Sequence, residues 1–326
     1  MGTRTSLVII ALLCMATGIC SADTERNTEK SFNVKHGGTL NLDSDYGTVE
    51  ITSHADPSVM VNVVLIADTS NNRKAEEIFD DFELAFSNTD NDVTIKGEFV
   101  NDRFRRNSRL KVNFYITVPE RYNIEVDTAA GGITVGDITG RINLETSGGR
   151  ISLGNITGDI KARTSGGGIK LKDVTGNTFV KTSGGSIKVG KVKGDLEART
   201  SGGRIDVDGV DGDLTANTSG GGLHLMNIHG RLTGETSGGP IAAVLSSQHM
   251  DRVELRTSGG GITLSVPSEF RADLDASTSG GHIYTDFPVT VSGRISDSAL
   301  SGIVNGGGPA VVLRTSGGNI EIMKNH

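Results

Sequence analysis

Beyond residue 127 the chain repeats a single pattern of apolar and polar positions. From Thr146 to Arg163, TSGGRISLG is followed by NITGDIKAR, and each nine-residue half carries Gly at its fourth place and an aliphatic residue at its sixth and eighth. Ile151 and Leu153 then point to one side of a short strand, as do Ile160 and Ala162, while Ser152 and Lys161 point away. The pattern predicts two short strands per 18-residue unit, each entered through a tight turn, back to back in one flattened coil.

The unit recurs down the chain. TSGG opens at Thr146, Thr164, Thr182, Thr200, Thr218, Thr236, Thr257, Thr278 and Thr315, and a degenerate copy, Thr-Ala-Ala-Gly-Gly, opens at Thr128. The starts from Thr128 to Thr236 are 18 residues apart; the next two steps are 21 and the last is 37, which leaves room for a coil without the motif plus a loop. Coils of this kind stack at the strand spacing of about 4.8 Å, so equivalent residues stand above one another. One aliphatic ladder runs Ile133, Ile151, Ile169, Ile187, Ile205, Leu223, Ile241, and a second runs Ile142, Ile160, Thr178, Leu196, Leu214, Leu232. Each buried aliphatic member contributes about 1.5–3 kcal/mol against the entropy of ordering its coil, so a coil needs neighbours to be stable. The prediction is an all-β fold: a β-solenoid, or single-chain parallel β-helix, with two long faces of about 50 Å.

The glycine pairs Gly148-Gly149, Gly166-Gly167, Gly184-Gly185 and Gly202-Gly203 are read as structural corners, supplying positive φ and room where the chain reverses. The neighbouring Thr and Ser can hydrogen-bond corner backbone groups or their own copies one coil away.

Before Thr128 the pattern changes. Ten of the 14 Phe and Tyr residues lie at or before Tyr122, and TSGG is absent. Alternating segments at Gly38–Leu42, Thr48–Ile51, Val59–Val63, Asp92–Ile95 and Leu110–Val118 predict strands, and Arg73–Phe86 reads as one helix with Ile78, Phe82 and Phe86 at helical spacing. Residues 30–126 are thus expected to form a β-rich cap over the first coil edge, and residues 127–322 the solenoid.

Residues 1–22 have the form of a secretory signal: Arg4, a short apolar run over Leu7–Ile19, and Ser21-Ala22 as a small-residue cleavage site. The run is short for a membrane span and no other long uncharged apolar segment follows, so a mature chain without a transmembrane segment is expected. Two rival readings of this end are myristoylation at Met1-Gly2 with Ser6, and lipidation of Cys20. Cys14 and Cys20 are the only cysteines, so cleavage leaves no disulfide, thiolate metal site or cysteine nucleophile. Loss of Arg4 takes the formal charge from −7 to −8, which argues against nucleic-acid binding.

Little else suggests chemistry. The TSGG serines recur wherever the corner recurs, which favours a structural role over a nucleophile held by one base. His224 and His229 are a pair without a third ligand, and Asp206, Asp208, Asp211 and Asp213 lack the GGxGxD spacing of calcium-binding solenoids. A threonine ice-binding face needs two outward columns, and here there is one, at a corner. The sequence therefore predicts no catalytic residue, cofactor or metal.

One charge feature stands out. Residues 159–204 hold ten Lys or Arg and four Asp or Glu, a local excess of +6 on an acidic protein. Arg163, Lys181 and Arg199 share one repeat position and should stand as a column; with Lys170 and Lys188 they are the candidate surface for an anionic glycan or a phospholipid headgroup, set against the plainer reading of a solvated face.

Val118-Pro119, the TSGG series with its following Ile, Gly194-Asp195-Leu196, Gly212-Asp213-Leu214 and the closing Asn305-Gly306-Gly307-Gly308-Pro309 together resemble the bacterial adhesin-like family of domains of unknown function, over roughly residues 32–322. The resemblance implies a solenoid architecture and assigns no catalytic or ligand residues; the Gly-Asp usual after the serine is mostly absent. The expected function is that of an exported, non-enzymatic, adhesin-like binding or scaffold protein, in periplasm, cell surface or medium, with a cell-surface glycan or envelope protein as partner. The alternatives are a self-assembling envelope scaffold stacking end to end, and a carbohydrate-active enzyme on a β-helix, for which coils this short supply no cleft.

Overall fold

A computed structural model describes residues 24–101, 109–246, 251–291 and 296–325. The signal-like segment 1–22, with Cys14 and Cys20, lies outside the described residues. The described residues form two sheets that run the length of the molecule, one of 17 strands and one of 15, and a single helix. Both aliphatic ladders stand in register: Ile133, Ile151, Ile169, Ile187, Ile205, Leu223 and Ile241 pair in turn on the first sheet, and Ile142, Ile160, Thr178, Leu196, Leu214 and Leu232 on the second. Their side chains are buried between the sheets, because period-2 alternation sends every second residue inward. The protein is a parallel β-solenoid with an N-terminal β-rich cap.

The coil is finer than the sequence pattern suggests. In the early coils the first-sheet side is two pieces, such as Ile151–Leu153 and Ile156–Thr157, bent at Gly154-Asn155. Asp137 Oδ1 holds that bend by accepting the Asn155 N–H at 2.7 Å. Two coils later the pieces fuse into single strands, Ile187–Lys193 and Ile205–Asp211.

Stacking order departs from chain order at both ends. The strands Thr39–Ser44 and Thr48–His54 stack directly on Asn123–Thr128 and Ile133–Val135, and the later strands Asp92–Phe99 and Leu110–Pro119 lie outside them. At the far end Ala310–Thr315 and Ile320–Lys324 insert between Arg252–Thr257/Ile262–Val266 and Ala272–Thr278/Ile283–Thr285. The 37-residue interval is thus an excursion outward and back: Ala299–Val304 pairs antiparallel with Ala272–Thr278, and the last TSGG coil then fills the gap beneath.

The helix is shorter than the sequence spacing predicts. It spans Asn72–Phe79, with Asn71 as N-cap accepting from the Lys74 N–H, and it buries Ala75 and Phe79. Phe82 and Phe86 belong instead to the strand Phe82–Thr89, which pairs antiparallel with Asp92–Phe99. The spacing Phe82, Leu84, Phe86 satisfies a period of two as well as helical spacing, and the Asp90-Asn91 turn gives the strand reading a partner. A further strand, Thr24–Asn33, pairs antiparallel with Ser58–Ala67 at the sheet margin.

Candidate functional site

Two corners shape each coil, and they use glycine differently. At the TSGG corner no φ lies in the left-handed region; the second glycine is needed because coils touch there. A Cβ on Gly167 would run into the Gly149 carbonyl and lie 2.6 Å from Arg150 N, whereas a Cβ on Gly148 would meet nothing nearer than 3.9 Å. The same split separates Gly149, Gly185 and Gly203, which press on the carbonyl of the preceding coil, from Gly166, Gly184 and Gly202, whose nearest neighbours lie 3.0–3.3 Å away. Positive φ, expected at TSGG, belongs instead to the opposite corner, where Gly140, Gly158, Gly176, Gly194 and Gly212 have φ from +135° to +159°, and to Gly131 in the degenerate first copy, at +127°.

Threonine completes the TSGG corner. Thr164 Oγ1 donates to the Gly149 carbonyl of the coil before at 2.8 Å, and the Gly167 N–H reaches the same hydroxyl at 3.4 Å. Each of the nine TSGG threonines makes the equivalent bond, at 2.7–2.9 Å, and all are buried. A parallel ladder links the other corner, where Asp159, Asn177, Asp195 and Asp213 accept the backbone N–H one coil on at 2.9–3.0 Å. These corners fix the coil spacing, and hence the pitch of any column of outward side chains.

Arg163, Lys181 and Arg199 do stand as one column, on the outer face of the second sheet, as consecutive ladder partners. Lys170 and Lys188 do not join them. They are partners of each other on the first sheet, across the molecule, because the seventh residue of the 18-residue unit falls on the opposite side of a flattened coil from the unit's last residue, the place of Arg163, Lys181 and Arg199. The candidate surface therefore divides into a three-residue column and a separate lysine pair.

The column lines an open depression of about 520 Å³ with Ser147, Ser165, Ser183 and Phe179, and Glu145, the ladder partner of Arg163, lines it at one end. The Arg163 guanidinium lies over the Phe179 ring at 5.1 Å, and Arg199 pairs with Glu197 at 2.6 Å. Lys181 is exposed and takes part in none of the ion pairs among the described residues. Cations and hydroxyl donors facing outward at coil spacing can receive an anion that itself repeats, or that offers several oxygens. The serines and Phe179 escaped the sequence reading, although Phe179 was legible as the one aromatic in the outward series Asn143, Lys161, Phe179, Glu197.

An acidic block precedes the basic one in the same column. Asp43, Asp127 and Glu145 are successive ladder partners, and Glu145 is the partner of Arg163. The Asp127 carboxyl is pushed above its ordinary range, first by lost hydration and then by the like charges of Glu145 and Asp43. Asp127 and Glu145 were legible from the 18-residue spacing; Asp43, which lies outside the repeat, was not.

Elsewhere the candidate groups disperse. Asp206 sits beside Arg204 at 3.2 Å and His224 at 4.0 Å, His229 beside Asp211 at 3.9 Å, and Asp213 accepts the Arg231 N–H. Among the described residues no three His, Cys, Asp or Glu side chains converge to hold a metal ion, and no helix is long and apolar enough to cross a membrane.

One family description, Toastrack DUF4097, matches residues 38–323, which take in every TSGG corner and the two sheets apart from the leading strand Thr24–Asn33 and the final residue of Ile320–Lys324. The chain belongs to this family. Solved structures similar to this Toastrack chain include a "putative adhesin" from Parabacteroides distasonis, at 12% identity over 91% of this chain and 97% of that one, with a TM-score of 0.38. A second protein from the same organism, named as a lipid binding protein of the same provisional standing, is 13% identical over 92% and 97%, with a TM-score of 0.41. A cell adhesion protein, again provisionally so named, from Clostridium sporogenes is 14% identical over 92% and 100%, with a TM-score of 0.23. Among curated proteins, none matches the chain.

Proposed function

We propose that this Toastrack protein is an exported, non-enzymatic binding or scaffold protein of adhesin type, and that the Arg163–Lys181–Arg199 column receives an anionic ligand, with a cell-surface glycan as the leading class. The observation that supports this reading is the depression on the second sheet, where three stacked cations, three corner hydroxyls and an aromatic face open outward together, against a single carboxylate, Glu145. Stacked like charges repel one another in the free protein, so a polyanion laid along the column removes a repulsion as well as adding contacts.

The non-enzymatic reading rests on the same regularity. The hydroxyls that line the depression belong to corner serines repeated from coil to coil, and none is hydrogen-bonded to a histidine among the described residues. Screening the protein on an array of anionic and neutral glycans, beside a variant carrying Arg163→Glu, Lys181→Glu and Arg199→Glu, tests the reading. Salt-sensitive binding of anionic glycans, lost in the variant, supports it. Equal retention by variant and wild type removes the column from the function, and a blank array removes the glycan.

A further inference from the structure

The outward column of the second sheet carries a sign pattern that matches itself when reversed. Following ladder partners, it reads Lys96, Asp43, Asp127, Glu145, Arg163, Lys181, Arg199, Asn217, Glu235. Three acids are followed without interruption by three bases, each block about 10 Å long at the strand spacing. Within each block like charges are stacked on adjacent strands, an unfavourable arrangement inside one chain. None of the ion pairs among the described residues involves Asp43, Asp127, Glu145 or Lys181.

We propose that a second copy of this chain docks face to face on this column in antiparallel direction, laying the acidic block of each copy on the basic block of the other. The two-fold axis lies in the interface, perpendicular to the column, and crosses it between Glu145 and Arg163. Glu145 then faces Arg163 of the second copy, Asp127 faces Lys181, and Asp43 faces Arg199, and the symmetry repeats each pair. The next position out brings Lys96 against Asn217, with no like-charge meeting. In the neighbouring outward column, Asn143, Glu125 and Asn41 meet Lys161, Phe179 and Glu197, again without opposed like charges.

Closed two-fold association of this sort needs a self-complementary patch, and the reversed sign pattern supplies one. The parallel alternative sets acid on acid and base on base, so the same pattern that favours the antiparallel arrangement excludes the other. The inference stands apart from anion binding: the acidic block gives it its specificity, although a bound polyanion and a second copy would compete for the same three cations.

The central residues allow a charge-swap test in which folding is not at risk. Asp127→Lys and Lys181→Glu each place an opposite charge inside a block of like charges, so each relieves repulsion within its own chain. Sedimentation equilibrium of the wild-type protein in about 20 mM salt is expected to show a mass rising with concentration to twice that of the monomer, and falling back in about 0.5 M salt. Each variant alone, now with like charges opposed twice across the axis, is expected to weaken association at least about tenfold. An equimolar mixture of the two variants restores opposite signs at both contacts and should recover the dimer. A wild-type mass that stays monomeric, variants that associate as wild type does, or a mixture no tighter than its components would each overturn the proposal. Asp127→Lys keeps all three cations, so a wild type that stays monomeric while both it and Asp127→Lys bind an anionic matrix sinks the dimer and leaves the ligand reading standing.

Discussion

Replacing Gly167 by alanine adds a Cβ that lands against the backbone of the preceding coil. It would lie 2.6 Å from Arg150 N and closer still to the Gly149 carbonyl, where real Cβ contacts essentially never fall below 3.0 Å. No side chain can swing aside to make room, because every atom in the way is main chain. The coils must part locally, and the carbonyl pushed away is the acceptor of the Thr164 hydroxyl bond at 2.8 Å. Gly167 O is itself the acceptor of the Thr182 hydroxyl, so displacement of Gly167 strains a second rung. Overpacking costs about 1–3 kcal/mol, and leaving one or both buried hydroxyl–carbonyl pairs unmade adds about 1–3 kcal/mol each. The expected loss is about 2–9 kcal/mol, the larger values applying if both rungs break. Gly148→Ala is the control one coil away: with its nearest neighbour at 3.9 Å and no left-handed φ, it should change stability by less than about 1 kcal/mol, and in the stabilising direction if anything. Urea unfolding of both variants, followed by far-ultraviolet circular dichroism, measures the difference. Equal midpoints, or a worse outcome for Gly148→Ala, would refute the idea that coil-to-coil contact rather than backbone conformation selects the second glycine.

Other consequences can be checked in the same way. Thr178 stands in an aliphatic ladder between Ile160 and Leu196 with its hydroxyl buried and unpartnered, so Thr178→Val should stabilise the protein by about 1–3 kcal/mol in urea unfolding. Thr182→Val, at a buried position whose hydroxyl donates to Gly167 O at 2.7 Å, should destabilise by a similar amount although the shape change is the same. Folding raises the Asp127 carboxyl, so its contribution to stability is present in acid and is lost as pH rises through the folded-state value. Asp127→Asn should therefore be more stable than wild type at pH 7, with the advantage vanishing below about pH 3, in melts recorded across that range. Reversing Lys170 and Lys188 on the first sheet should leave anionic-ligand binding unchanged on the same array that detects loss of the second-sheet column.

The solenoid was legible because its evidence is redundant: Ile151 alone says little, but seven aliphatic residues at one spacing fix the period, the register and the inward face together. The order of coils was not legible. Thr257, Thr278 and Thr315 carry the same corner, and nothing local tells Thr315 that its coil fits between the other two; that choice is made by which surfaces remain unburied. The helix over-reached for a related reason, since Phe82 and Phe86 suit a strand as well as a helix until Asp92–Phe99 is there to pair with them. At the candidate surface, spacing placed Arg163, Lys181 and Arg199 in one column, but grouping by charge alone added Lys170 and Lys188, which the flattened coil sends to the other face. Asp43 could join the acidic block only through a pairing between distant parts of the chain.

The most direct test of the account is the affinity of a sulfated oligosaccharide of defined length for three proteins, the wild type, Asp127→Lys and Lys181→Glu, each measured by titration calorimetry in low and high salt. A column that binds anions predicts the order Asp127→Lys, then wild type, then Lys181→Glu from tightest to weakest, with the differences shrinking as salt screens them. Three equal affinities, or an order indifferent to salt, would contradict it.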